Sequence, residues 1–354
     1  MIVPNRTQIL NVARSAGAVE RAAEILRSGG LVAFPTETVY GLGALGLDPT
    51  ALERIFVAKG RPHSDPLILH VGEEAWVRDL VRSLPPLAET LLEAFWPGPL
   101  TLVLPKSDRV PDLATAGMDS VAVRMPAHPV ALELIRRVGQ PVAAPSANLF
   151  SRPSPTTAAH VLQDLDGRID AVLDGGPTDV GVESTVLDLR GETPVILRPG
   201  GVTRADLERV LGRSVSLMGA ADHTVADDQP AASPGLLTRH YSPRAEVFLF
   251  DGPDAAAIAA MRRLAEEAKP GTETALLAFT EDIEALGAVP CTVVDLGSRE
   301  RPEEAAHGLY AAFRDLDKHG IARVGIRLAP PGGLGDAVND RLRRAASGRV
   351  LRVG

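Results

Sequence analysis

The chain has 354 residues, a hydrophobic fraction of 45% and a formal charge of −8 at pH 7. At roughly 150 residues per domain the length points to two domains, and with aromatics at only 4% their cores must be packed by Leu, Val, Ile and Ala. The acidic balance argues against strong stand-alone nucleic-acid binding, which rests on clustered Lys and Arg, although net charge does not exclude a local basic groove.

A single cysteine, Cys291, cannot form an internal disulfide, and no Cys/His cluster has zinc-site spacing. The N-terminal segment lacks the charged-then-apolar order of a signal peptide. No stretch approaches the ~20 apolar residues of a membrane helix. A soluble cytoplasmic protein is the expectation.

In chain order, Val19, Ala22, Ala23, Ile25 and Leu26 fall at helical spacing over residues 16–28, and Gly29-Gly30 stop that helix. LVAF (31–34) reads as a buried strand. Asp48-Pro49 supplies an N-cap and first helical residue for a helix running toward Lys59. PLILHV (66–71) is a strand, two helices flank Pro85-Pro86, and LTLVLP (100–105) and SVAVRMP (120–126) are strands. A helix follows over 128–138, then PVAAPSA (141–147) as a strand entering a loop, and a helix from about Thr156. AVLDGG and STVLDL read as strands, RGETP as the hairpin turn before VILRPGG, and Thr203 as the cap of another helix.

Residues 216–240 change to small, polar, Pro/Gly-containing linker composition. From Ala245 strands and helices alternate regularly, which implies parallel pairing in a small doubly wound sheet. The domains are therefore expected at 1–215 and 245–354, with a connecting segment at 216–244.

Gly41-Leu-Gly-Ala-Leu-Gly46 matches the GxGxxG dinucleotide pattern. That pattern works when the glycines join a strand directly to a helix N-terminus, with an acidic residue about 20 positions on. Here PTETVY intervenes after the strand, the next helix starts only at Asp48-Pro49, and the later region holds Lys59, Arg61 and Pro62. A Gly-rich turn allowing close backbone approach is the preferred reading. No GxxxxGK[ST] loop occurs, so any ATP site is of another kind.

Polar residues gather beside strand ends in seven segments: PTETVYGLG, KGRP, DPLILH, SVAVRMP, APSANLFSRPSPT, GVESTV and ILRPGG. They contribute the cations Lys59, Arg61, Arg124 and Arg198, the hydroxyls Thr36, Thr38, Ser146, Ser154, Ser184 and Thr185, and Asn148. Arg forks suit carboxylate or phosphate in two-point contacts and Lys acts as a point charge, so the set fits a polyanionic ligand. Singly, each residue has a plainer reading. Arg124 could form a structural ion pair, Arg198 could be a turn residue, and His70 could be a satisfied buried histidine. Ser146 to Asn148 could cap a helix, and Asp65 could be a turn carboxylate.

Together, PTETVYGLG, KGRPHSDPLILH, APSANLFSRPSPTT and GVESTVLDLRGETPVILRPG resemble the threonylcarbamoyl-AMP synthases of the YrdC-like superfamily, in order and over about residues 15–212. SPGLLTRHYSP and the α/β unit ending GLGDAVNDRLRRA resemble the longer, two-domain form. The resemblance implies a twisted open α/β catalytic domain with a concave basic cavity and a smaller Rossmann-like C-terminal domain. It implies conversion of L-threonine, bicarbonate and ATP to threonylcarbamoyl-AMP and pyrophosphate, for threonylcarbamoyladenosine modification of tRNA. A partner transferase complex then uses the product.

Carried onto matching positions, Thr38, His70, Arg124, the Ala144 backbone and Ser184 would form the threonine site. Arg61, Asp65, Ser120, Ser146, Ser154, Arg198 and Tyr241 would contact ATP, with Lys59 near the phosphates. Lys59, Arg61 and Arg124 would carry the catalysis, with Asn148 and Thr185 as further candidates. Mg2+ would enter on the triphosphate, with no protein metal cage. The linker would close over the site as a lid that excludes water. Two positions depart from the family pattern. Leu236-Leu237-Thr238 stand where many relatives have Met-Lys-Tyr, and Ser151 stands where Gly is common. The superfamily's basic surface also prompts an RNA-binding reading, against which the charge of −8 weighs.

Overall fold

The computed structural model describes residues 6–218, 241–267 and 273–354. The expectations for Leu236, Leu237, Thr238 and His240, and most of the proposed lid, lie outside these residues. The chain divides into two units, residues 1–150 with 154–238, and residues 151–153 with 239–354.

The first unit is built on short strands: β1 (Gln8–Asn11), β2 (Val32–Pro35), β3 (Tyr40–Leu45), β4 (Ile68–His70), β5 (Leu100–Pro105), β6 (Ser120–Arg124), β7 (Val142–Ala143), β8 (Ala171–Asp174), β9 (Thr185–Asp188), β10 (Val195–Arg198) and β11 (Ser216–Leu217). They form one mixed sheet in the order β1-β8-β2-β3-β7-β4-β6-β5-β9-β10-β11. Neighbours such as β4 and β6 run parallel, while β5 and β6 run antiparallel.

The helix signals act as the sequence reading expects. The Asp48 side chain accepts from the Thr50 N–H, with Pro49 opening the helix Pro49–Lys59 and Gly60 ending it in a left-handed conformation. Thr203 and Asp206 form a reciprocal capping box at the helix Arg204–Leu211, satisfying two donors that a helix start otherwise leaves open.

One expectation is corrected. GLGALG lies not in a turn but largely in β3, whose six residues are all buried. The need for close approach is real and comes from packing. A Cβ on Gly43 would lie 2.8 Å from the Phe34 ring, and one on Gly46 would lie 2.9 Å from the Pro141 carbonyl oxygen. The glycines thus let β3 sit between its neighbours. β1 and β11, at the two edges of the sheet, carry no strong apolar pattern and are not evident in the sequence.

In the second unit β12 (Glu246–Asp251), β13 (Thr274–Ala278), β14 (Thr292–Asp295), β15 (Arg323–Arg327) and β16 (Val350–Arg352) form a sheet in the order β14-β13-β15-β12-β16. All its pairings are parallel. The helices Asp254–Glu266, Thr280–Leu286, Pro302–Lys318 and Leu334–Ala345 alternate with the strands, as the regular pattern after Ala245 requires. Part of its core is a cluster of Phe250, Met261, Leu264, Leu276 and Leu286.

Two glycine substitutions test this packing with opposite signs. Gly46→Ala is expected to cost about 1–3 kcal/mol through overpacking, because the obstructing atom is backbone. Gly308, within the helix Pro302–Lys318, has nothing within 4 Å of an added Cβ, so Gly308→Ala is expected to stabilise by about 0.5–1 kcal/mol. Denaturant unfolding measures both; a neutral Gly46→Ala would contradict the packing account of β3.

Candidate functional site

Strand periodicity of two gives the centre of the first sheet two faces. Leu67, Leu69, Leu100, Leu102, Leu104, Val121, Val123 and Leu187 enter the main core. The alternate residues Ile68, Val103, Ala122 and Val186 form a separate small apolar cluster on the other face. By the same alternation His70, Thr101, Ser120, Arg124 and Ser184 belong to that second face. Register sets His70 opposite Arg124 and Thr101 opposite Val186 of the apolar cluster. The apolar cluster and these polar residues thus share one face of the sheet.

Arg124 is 4% exposed. Its Nη2 donates to Glu37 Oε1 at 2.7 Å and its Nε to the Gly98 carbonyl at 3.2 Å. Its Nη1 makes no hydrogen bond among the described residues. Glu37 comes from the connection between β2 and β3, and its Oε2 accepts from the Ala127 N–H at 3.1 Å. In the same connection the Thr36 and Thr38 hydroxyls lie 2.7 Å apart, and the Thr38 carbonyl accepts from Gly181 N–H.

His70 is buried, with Nδ1 3.2 Å from the Ile68 carbonyl. Burial first, and the neighbouring Arg124 charge second, push its pKa down to about 3. The ring is neutral at physiological pH. It can accept a hydrogen bond, but it is too weakly basic to hold a proton there.

On the other side, the Thr101 and Ser184 hydroxyls lie 2.8 Å apart. Arg198 Nη2 donates to the Ser184 carbonyl at 3.0 Å and reaches its hydroxyl at 3.3 Å. The Thr185 hydroxyl binds the Val202 backbone at both its carbonyl and its N–H. This wall explains RPGG. A Cβ on Gly200 would sit 2.2 Å from the Glu183 carbonyl oxygen and 2.5 Å from Thr185 N, so only glycine lets the two loops pass. Ser154 donates to Glu183 Oε1 at 2.5 Å, which fastens the serine-rich loop to the same wall.

The remaining cations organise loops. Lys59 Nζ donates to the Ser146 and Asn148 carbonyls at 2.5 and 2.6 Å. Ser146 also bridges to Gly41, and Ala144 N–H bonds the Ile68 carbonyl. Arg61 pairs with Asp65 at 2.9 Å and donates to the Asp65 and Pro66 carbonyls, shaping the entry to β4. Ser120 stands apart, four residues from Arg124 on β6 and so about 13 Å away along the strand. Its hydroxyl accepts from Arg190 Nη1 at 3.3 Å.

Tyr241 belongs to the second unit. Its ring is buried, 5.7 Å from the Tyr310 ring, with the Arg341 guanidinium 5.0 Å over it. Its φ is +60°, and Ser151 has φ +64°. Both occupy the left-handed region that glycine adopts at no cost, so a glycine at position 151 would relieve backbone strain. Glu37, Glu183, Thr101 and Arg190 are not among the candidates that the sequence suggests, because no ligand chemistry singles them out; each acts on a neighbour that does have such chemistry.

Residues 24–200 match the family described as "Telomere recombination", and residues 202–347 match "Threonylcarbamoyl-AMP synthase, C-terminal domain". The threonylcarbamoyl-AMP synthase of Pyrococcus abyssi is 43% identical over 336 residues, covering 94% of this chain and 95% of the relative. That of Bacillus subtilis is 43% identical over 336 residues, with 94% of each covered. A relative of the same name in Halorhodospira halophila matches over 44% of this chain and 82% of its own length, at 44% identity. Among solved structures, P. abyssi Sua5 complexed with L-threonine superposes with a TM-score of 0.90 at 42% identity, covering 98% of this chain and 99% of that one. The chain belongs to the threonylcarbamoyl-AMP synthase family, in its two-domain form.

Proposed function

We propose that the first unit of this synthase holds L-threonine, bicarbonate and ATP on the polar face of its sheet, with Arg124 receiving the threonine carboxylate. The observation that carries this reading is the state of Arg124. It is buried and fixed through Nη2 and Nε, and its Nη1 has no hydrogen bond among the described residues. A guanidinium held in one plane by those two bonds offers Nη1 as a fixed, charged donor to a carboxylate oxygen. The L-threonine complex of the P. abyssi relative supports an amino-acid site, and the shared name of the shorter H. halophila relative supports placing the chemistry in one unit.

Thr38, neutral His70, the Ala144 backbone and Ser184 would complete the threonine site. Arg61, Asp65, Ser120, Ser146, Ser154 and Arg198 would contact ATP, with Lys59 toward the phosphates and Asn148 and Thr185 beside them. The separation of Ser120 from Arg124 matches a nucleotide lying along β6 rather than a point ligand.

The threonine amine nitrogen attacks the carbon of CO2 derived from bicarbonate and loses a proton, giving a carbamate. A carbamate oxygen then attacks the α-phosphorus of ATP. The bond from that phosphorus to the oxygen bridging to the β-phosphate breaks, and pyrophosphate leaves. No protein nucleophile is needed. The protein orients the reactants and offsets negative charge. Mg2+ carried by the triphosphate would neutralise part of that charge. The donors of the site are mainly hydroxyls and cations, which suit phosphate oxygens, and Mg2+ bound through phosphates needs few protein ligands. The product would pass in the cytoplasm to a separate transferase complex acting on tRNA, the chain's own acidity disfavouring tight tRNA binding.

Two measurements test this reading. Arg124→Ala is expected to raise the KM for threonine in threonine-dependent pyrophosphate release by about 10- to 100-fold, the value of a charged hydrogen bond, and to change the KM for ATP far less. Equal effects on both would contradict the carboxylate role. The His70 ring, with a pKa near 3, should show no NMR titration between pH 5 and 8. Because its folded pKa lies below its unfolded value, its stability contribution is complete above about pH 6.5 and lost as pH falls toward 3. A His70 midpoint near 6.5 in the folded protein would contradict the buried neutral acceptor.

A further inference from the structure

We infer that Glu37 is a positioning residue for the threonine site, acting through Arg124. The inference rests on the proposed carboxylate role of Arg124. Glu37 is 7% exposed, and burying a carboxylate is costly unless both oxygens are answered. Here both are. Oε1 accepts from Arg124 Nη2 at 2.7 Å and Oε2 from the Ala127 N–H at 3.1 Å.

Its backbone is fixed as well. The Glu37 carbonyl accepts from Val180 N–H at 2.8 Å, and the next carbonyl, of Thr38, from Gly181 N–H. Glu37 is therefore a rigid arm. It holds one end of the guanidinium while the Gly98 carbonyl holds Nε, and together they set the plane in which Nη1 is offered. The same segment carries Thr38, so one short connection between β2 and β3 aligns a hydroxyl and a cation at the proposed amino-acid site. The pairing also makes Glu37 and Arg124 jointly neutral beside neutral His70, so binding of the substrate carboxylate there depends on geometry more than on net attraction.

Position and charge can be separated. Glu37→Gln keeps an oxygen where Oε1 stands and removes the charge, but it turns an NH2 toward the Ala127 N–H. Glu37→Asp keeps the charge and withdraws it by one methylene. In the full-length enzyme, Glu37→Asp is expected to raise the KM for threonine by about 10-fold, the equivalent of one weakened charged hydrogen bond, and to leave the KM for ATP within about two-fold. Glu37→Gln is expected to raise the KM for threonine by less than Glu37→Asp does, while the donor left facing the Ala127 N–H lowers its melting temperature. In an Arg124→Gln background, Glu37→Asp should add nothing further, since residues acting through one another are non-additive. A near-native Glu37→Asp with an impaired Glu37→Gln, equal effects on both substrates, or full additivity with Arg124→Gln would each overturn the positioning role. Absence of any threonine-selective effect in Arg124→Gln alone would instead overturn the Arg124 reading. Melting temperatures of all variants separate loss of fold from loss of alignment, and the two Glu37 variants are close enough in size for at least one to remain folded.

Discussion

Four cations taken out of water set the terms for the first unit. Lys59, Arg61, Arg124 and Arg198 are each no more than 7% exposed, and a buried charge is tolerated only when its donors are answered. Backbone carbonyls take part in answering all four: Ser146 and Asn148 for Lys59, Asp65 and Pro66 for Arg61, Gly98 for Arg124 and Ser184 for Arg198. A carbonyl satisfies an N–H without cancelling its charge. Arg61 and Arg124 pair in addition with Asp65 and Glu37, which offset their charge, and the loops are shaped around all four cations. The site and the loop structure have the same cause.

That cause also separates what the sequence makes legible from what it does not. Strands and helices with strong periodicity and caps, such as Pro49–Lys59, β5, β6 and the alternating elements after Ala245, follow from local signals. β3 does not, because the glycines of GLGALG read as punctuation while their purpose lies in Phe34, Pro141 and Val142 across the sheet. The mixed strand order is likewise a product of distant pairing. The cations and hydroxyls are visible as residue types beside strand ends, but Glu37, Glu183 and Thr101 are not. A physical signal for Glu37 does exist. A buried cation asks for a carboxylate, and PTET places a single glutamate within a cation-rich motif set, whereas Glu183 answers the Ser154 hydroxyl.

The second unit shows a different use of charge. At the carboxyl ends of its strands Asp254 pairs with Arg327 and Arg299 at 2.6 and 2.7 Å, and Arg327 also reaches Asp282. Hydrogen bonds from Arg299 and Arg327 hold the Asp254 pKa down to about 2, whereas burial raises that of Asp282. Opposite shifts within one network follow from exposure. The exposed carboxylate gains from its partners, while the buried one loses more hydration than they return. The network ties the loops after β12, β13, β14 and β15 together, whereas in the first unit backbone carbonyls share in binding every one of the four cations.

The most direct test of the central claim is a crystal structure of the full-length protein with L-threonine and a non-hydrolysable ATP analogue. The account predicts the threonine carboxylate on Arg124 Nη1, Glu37 still bound to Nη2, and the nucleotide extending along β6 toward Ser120. A threonine carboxylate bound elsewhere, with Arg124 contacting only Glu37 and Gly98, would contradict it.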